Sequence, residues 1–367
     1  MTWNYITIEK TGDIGAGPIE FETTKVSLDF NGNSIQYAGG SWRTYTKPMD
    51  FLPATYKFRF DGHIEYLEIS GCEVNKAVGW LTLLDHNGGG LSGGTADWAD
   101  GSWHGISGST DTNGKLWFDI SNPNYGKIRM SAPNGGGSVE QTKSQLESSN
   151  WTWQTDEAII RLLDHNENPI TDGSGTVELS SGSWINLGST DNNGEVRTEM
   201  FMPVTRKFRL SHNNLSQQKT ELFESPDTGG DNTMVFQTQE AVVKLLDSNG
   251  NGLAGGEVTY AAGSWQSFGT TDSNGEAKME LLSGSYKFRM NYQYGTLEKT
   301  QDINTPIEFQ TGQVISESGS CTHYAAGSWR PFTNGMELLP LSYKFRFNDG
   351  TPDTTYAVAA GIVNHIH

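Results

Sequence analysis

A chain of 367 residues that is 35% hydrophobic, carries 44 glycines and has two cysteines is poorly composed for a helical protein and too thiol-poor for a disulfide scaffold. Its net charge of −18 opposes nucleic-acid binding, which takes clustered Lys and Arg to neutralise phosphates, and suits the solubility of an exported protein. No run of about 18 apolar residues is present, so no membrane-spanning helix is expected, and the absence of a basic-apolar leader fits an exported chain in mature or excised form.

The first 24 residues repeat the end of a later segment. Met1-Thr-Trp-Asn-Tyr-Ile-Thr-Ile-Glu-Lys-Thr-Gly-Asp13 aligns with Met290 to Asp302, and Pro18-Ile-Glu-Phe-Glu-Thr23 with Pro306 to Thr311. Residues 1–24 therefore read as the terminal strands of an incomplete repeat. Exposed edges and a bare apolar face are poorly tolerated, so these strands either mark a cut fragment of a longer array or pair with another copy of the chain. The second case gives a filament by head-to-tail completion of one sandwich by the next.

From there a Gly-Ser-Trp tripeptide recurs five times, with Trp42, Trp103, Trp184, Trp265 and Trp329 spaced by 61, 81, 81 and 64 residues. Self-similarity on this scale means an array of small units. Aligning by motif gives repeats at 25–76, 77–155, 156–238, 239–311 and 312–367. The first and last are short and lack the Thr-Asp-x-Asn-Gly turn, as capping copies do.

The fourth repeat is the clearest. Its opening strand from Glu240 runs into Asp247-Ser-Asn249-Gly250, and a second turn, Asp272-Ser-Asn274-Gly275, follows the Trp265 strand. Asp and Asn bond their own backbone two residues on, and Gly accepts positive φ, so both are hairpin turns. In Tyr286-Lys-Phe-Arg-Met290 a period of two puts Tyr286, Phe288 and Met290 on a core face and Lys287 and Arg289 on the outside. The same split recurs at Tyr56–Phe60, Gly126–Met130, Arg206–Leu210 and Tyr343–Phe347, with the outward cations expected to pair with acids on neighbouring strands. Six or seven short strands in about 72 residues predict an all-β chain, a tandem array of small immunoglobulin-like or prealbumin-like β-sandwiches.

The segments Leu245 to Leu253, Thr271 to Gly275 and Leu281 to Phe288 resemble the prealbumin-like sandwich of carboxypeptidase-regulatory-type and collagen-adhesin B-type modules. The Gly-Ser-Trp insertion and the closing Phe-Gln-Thr strand resemble repeats of secreted bacterial surface proteins. The resemblance implies an extracellular spacer, adhesive or matrix role without shared catalytic residues.

Candidate chemistry is sparse. Gly90-Leu-Ser92-Gly-Gly94 fits a nucleophile elbow, but the equivalent Gly252-Leu-Ala254-Gly-Gly256 lacks the serine, so a hairpin glycine cluster explains both and no catalytic residue is expected. His365 and His367 offer a weak terminal metal site or a ragged tail. Asp111 with Asn113, Asp191 with Asn193 and Asp272 with Asn274 have the spacing that opens a calcium loop. Such Asx turns also fold without metal, so calcium is the one candidate cofactor. Cys72 and Cys321 are either two separate buried thiols or a bridge, which requires the ends of the array, or two neighbouring chains, to meet. The five tryptophans either fill the sandwich ends or their contacts, or present flat ligand platforms whose number raises avidity. The expected function is a non-enzymatic, extracellular structural array, a surface or matrix filament subunit partnered by copies of itself. The alternative is a multivalent module for surface polysaccharide or adhesion.

Overall fold

A computed structural model of the protein describes residues 9, 10, 20–39, 41–121, 124–148 and 150–367. Most of the amino-terminal repeat match, residues 1–8 and 11–19, lies outside the described residues. The chain divides into two compact units, one of residues 1–158, 197–206 and 222–232, the other of 159–196, 207–221 and 233–367.

The protein is all-β, as composition predicts. The helical segments among the described residues are Lys143–Ser148 and the 3-10 turns Pro133–Gly135 and Pro226–Thr228. No helix among them is long and apolar enough to cross a membrane.

One four-stranded antiparallel design recurs five times. The strand opened by Gly-Ser-Trp lies at the edge, followed by the strand before it in sequence, the Lys-x-Arg strand, and the strand after that. In the first unit these sheets are Ser41–Thr44, Ile35–Gly39, Ala54–Phe60, His63–Ile69 and Trp103–Gly105, Thr95–Ala99, Lys127–Ser131, Ser138–Thr142. In the second, Ser264–Thr270, Glu257–Ala262, Ser285–Tyr292, Gly295–Asp302 and Ser328–Pro331, Cys321–Ala326, Ser342–Phe347, Thr354–Ala357 repeat the order. The remaining sheet is Ser183–Ser189, Thr176–Ser181, Val204–His212 and Leu215–Phe223.

The Gly-Ser-Trp motif is first of all a turn. Gly182, Gly263 and Gly327 have φ of 74°, 72° and 84°, a left-handed geometry that costs glycine nothing because it has no Cβ. Each reverses the chain between two paired strands, Ala262 facing Ser264 and Ala326 facing Ser328.

Alternation sets the cores. Tyr56, Phe58 and Phe60 are buried with Val26, Leu28 and Phe51, and Ile128 and Met130 with Leu81, Leu83, Phe118 and Trp153. Phe208, Leu210, Phe288 and Met290 are buried in the same way, and Tyr343, Phe345 and Phe347 pack with Val314, Tyr324 and Ile366. At about 25 cal/mol per Å² of apolar surface, a few such aromatics carry most of the burial a small sandwich achieves.

The opposing sheets are built on strands that serve two cores. In the first unit, Glu73–Leu84 pairs in parallel with Lys25 to Phe30 through residues 73–78, antiparallel with Lys115–Ile120 through 77–82, and in parallel with Thr152–Gln154 through 82–84. In the second unit, Thr233–Leu246 pairs with Ile159 to Leu163 through 233–237, with Glu276–Leu282 through 238–244, and with Ile307–Gln310 through 243–246. A single residue, Thr155, separates Thr152–Gln154 from Asp156–Leu163, and Thr311 alone separates Ile307–Gln310 from Gly312–Ser316. Within each unit the hydrogen-bonded ladder passes along the long strand from one core to the next with no linker.

Candidate functional sites on the outer faces and at the joints

The five tryptophans lie outside the cores, which corrects the expectation that they fill sandwich ends. Tyr260 is buried, so its neighbour Ala261 faces outward, and Trp265, paired across the strands with Ala261, faces outward too. Trp42, Trp184, Trp265 and Trp329 are half-buried and Trp103 is exposed. Small residues sit opposite all five: Ala38, Ala99, Ser180, Ala261 and Ala325.

Each indole is covered by the guanidinium two strands away. The distances from guanidinium carbon to ring centroid are 4.4 Å for Arg59 on Trp42, 4.3 Å for Arg129 on Trp103 and 4.4 Å for Arg209 on Trp184. Arg289 on Trp265 and Arg346 on Trp329 are closer, at 3.8 and 3.9 Å. Lys57, Lys127, Lys207 and Lys287 lie 4.8 to 5.9 Å from the same rings. Four of the five arginines are also paired with acids, as the sequence led one to expect, whereas Arg59 donates to Gln36 Oε1 at 2.9 Å. Arg129 meets Asp97 at 2.8 Å, Arg209 meets Glu178 at 2.5 Å, Arg289 meets Glu298 at 2.6 Å and Arg346 meets Asp353 at 3.1 Å. The first three pairs stand directly opposite on adjacent strands. Four of the five outer faces therefore carry a Trp, Arg and carboxylate stack, in which the planar guanidinium satisfies ring and acid together, and on the first Gln36 takes the place of the acid.

The turn aspartates are used by their own backbone. Oδ1 of Asp111 accepts from Asn113 N at 2.8 Å and Lys115 N at 2.9 Å. Asp191 receives Asn193 and Glu195 at 2.8 and 2.9 Å, and Asp272 receives Asn274 and Glu276 at 2.8 and 3.0 Å. These N–H donors, that of Lys115 foremost for Asp111 and that of Glu276 for Asp272, hold both carboxyls below the usual aspartate value. Among the described residues no group of three or more His, Cys, Asp or Glu is placed to hold a metal.

The glycine clusters pack rather than bend a nucleophile. A Cβ on Gly90 would fall 2.1 Å from the backbone carbon of Asn113, and one on Gly252 would fall 2.0 Å from Asn274 O. In the repeats at 77–155 and 239–311 the first turn is pressed against the second, and the preceding threonine stitches them together. Thr110 Oγ1 donates to Leu91 O at 2.6 Å and accepts from Gly94 N at 2.8 Å. Thr271 does the same with Leu253 O and Gly256 N, at 2.8 and 2.9 Å.

Cys72 and Cys321 are free thiols, the first exposed and the second buried, which corrects the expectation that both are buried. Burial pushes the Cys321 thiol up to about 11, which keeps it protonated and unreactive. His365 and His367 form no ragged tail. The strand Val363–Ile366 pairs with Gly312–Ser316, His365 Nδ1 lies 2.9 Å from Glu317, and the His367 ring packs edge-on against Phe347.

Sequence reasoning missed the joints. Each closing strand ends in Gln-Thr, and the glutamine donates to a carbonyl of the preceding turn: Gln154 to His86 O, Gln237 to Asp164 O and Gln310 to Asp247 O. The threonine hydroxyl lies between a carbonyl of the opening strand and a carboxylate of the following sandwich. In the first unit Thr155 Oγ1 is 2.5 Å from Glu199 Oε2, whose Oε1 accepts from His86 Nδ1 at 2.6 Å. In the second unit Glu280 holds Thr238 and His165 in the same way, and Glu337 holds Thr311 at 2.5 Å and Ser248 Oγ at 2.8 Å. The hydrogen bond to Glu199 raises the His86 imidazole above its ordinary value, and that to Glu280 does the same for His165. The Glu73–Leu84 joint is packed differently, with the His63 ring 4.0 Å from Trp117 and 4.9 Å from Trp80. Repetition of Phe-Gln-Thr or Trp-Gln-Thr was the available signal. The carboxylate partner sits more than forty positions downstream in two of the joints, and the recurrence of Met-Glu-Leu-Leu at 279–282 and 336–339 was the signal for it in two of the three.

No family model and no curated protein matches the chain. Among solved structures it is similar to the Bacillus anthracis TIE protein, at 14% identity over 82% of this chain and 74% of that one, with a TM-score of 0.17. It is also similar to BcpA, the major pilin subunit of Bacillus cereus, at 13% identity over 64% and 97%, TM-score 0.19. The full-length major pilin RrgB from Streptococcus pneumoniae shows 8% identity over 77% and 95%, TM-score 0.15. Scores this low do not define a common fold, and the β-sandwich assignment rests on the strand pairing itself.

Proposed function

We propose that the chain is a non-enzymatic structural array of the extracellular surface or matrix, in which linker-free sandwiches act as a spacer or filament subunit. The observation that carries this reading is the joint: a strand shared by or abutting two cores, reinforced by a buried threonine and a carboxylate from the next sandwich. Such a build resists bending and extension at the points where strings of domains ordinarily flex. Its more specific form is head-to-tail assembly of copies, with residues 1–24 lending strands to a neighbour, supported by their match to residues 290–311. Negative-stain microscopy of the purified chain at high concentration tests it. Filaments or end-joined oligomers are expected, and discrete monomers whose residues 1–24 are readily proteolysed would overturn it.

The half-buried position of the Gly-Ser-Trp tryptophans supports a second reading, a multivalent module for surface polysaccharide. A sugar ring would stack on the indole area left beside the guanidinium. Titration with a glycan panel, read by tryptophan fluorescence, is expected to quench or shift the emission. An unchanged spectrum with every glycan, and unchanged adhesion for Trp265→Ala, would remove this reading.

A further inference from the structure

Three joint carboxylates occupy the same place, but their second partner differs. Glu199 and Glu280 face histidines, whereas Glu337 faces Ser248. We propose that the Glu199 and Glu280 joints are pH-responsive fasteners that tighten on mild acidification, and that the Glu337 joint is their pH-indifferent counterpart.

The geometry distinguishes two protonation states without breaking the joint. In the neutral form His86 Nδ1–H donates to Glu199 while Nε2 accepts from the Asn87 amide at 2.7 Å. His165 is held identically by Glu280 and by Asn166, the latter at 2.8 Å. A proton added at Nε2 turns that nitrogen into a donor, which the asparagine meets by turning its carbonyl toward it. The bond to glutamate, already ionised at its acceptor, then has an ionised donor as well, which strengthens it further.

The surroundings favour the charged form. His86 faces Glu199, Glu157 at 3.8 Å and Asp85 of its own turn, with Arg197 bound to Glu157 at 2.6 Å as the nearby opposing charge. His165 faces Glu280, Glu240 and Asp164, with Lys278 lying 3.7 Å from Glu240. Both imidazoles are raised above 6.5, so their contribution is fully present below 6.5 and is lost as pH rises through the raised value. His212 works in the opposite sense. It is buried, its value is lowered by desolvation, and its contribution is lost as pH falls, so the pH response of the whole chain alone is not diagnostic.

The test compares the full chain with its His86→Ser variant, which copies the Ser248 joint and leaves untouched Glu280, whose charge His212 also feels, so that His212 cancels in the difference. The melting temperature of the wild type is expected to exceed that of the variant by on the order of 1–2 °C at pH 6, with the gap closing by pH 9. The two imidazoles are expected to titrate above 6.5 by NMR, and Ser248→His to add a third that does likewise. Parallel melting curves across this range, or imidazoles at Glu199 and Glu280 that titrate at or below 6.5, would overturn the proposal.

Discussion

Trp265 and Phe288 are large aromatics two strands apart in one sheet, with opposite duties. Phe288 is fully buried, and its truncation to alanine is expected to cost about 3–5 kcal/mol through lost transfer energy and a cavity. Trp265 is half-buried on the outer face, and its truncation is expected to cost only about 1 kcal/mol, the scale of a partly exposed cation–π contact. Urea unfolding of the two variants separates them; equal losses would contradict the outward placement. Gly252→Ala is expected to destabilise by about 1–3 kcal/mol although the residue lies in an exposed turn, because the added methyl meets Asn274 backbone. A wild-type urea midpoint for that variant would show that the two turns are not in contact. The turn aspartates give the acid limit. Asp111 and Asp272 lie below 3.8 when folded, so their contribution is present above 3.8 and lost as pH falls through the depressed folded value. The urea midpoint is accordingly expected to fall between pH 5 and pH 3, and a midpoint unchanged over that interval would contradict the assigned turn bonds.

At the scale of elements, the alternation in Tyr-Lys-Phe-Arg was enough to place the core, the outward cations and their acidic partners, because period-two patterning is local and each sandwich repeats it. The Asp-x-Asn-Gly turns were legible for the same reason. What the tryptophans do was not legible. A residue after Gly-Ser faces in or out according to the register of a strand whose own facing is set by the pairing of Tyr260 and Ala261, which no local pattern states. The joint carboxylates were hidden more deeply, since Glu280 meets Thr238 across two directly paired strands whose connecting chain runs through the other sheet. Their coupling is measurable. Thr311→Val and Glu337→Gln are each expected to cost about 1–2 kcal/mol, and the double variant less than the sum by roughly 1 kcal/mol, because the two side chains share one hydrogen bond. Strict additivity in a double-mutant cycle would mean that the bond contributes nothing to the joint.

For the whole molecule, the described residues carry five outer-face sheets of one strand order, and within each unit a long strand joins two cores without a linker. The Thr233–Leu246 strand is where this is most exposed to test. It closes one core through residues 233–237 and opens another through 238–244 without interruption. Native-state amide hydrogen exchange along this strand measures the joint directly. Protection at residues 237–240 matching that of the flanking core positions is the predicted result, and rapid exchange confined to those residues would reveal a hinge and contradict the account.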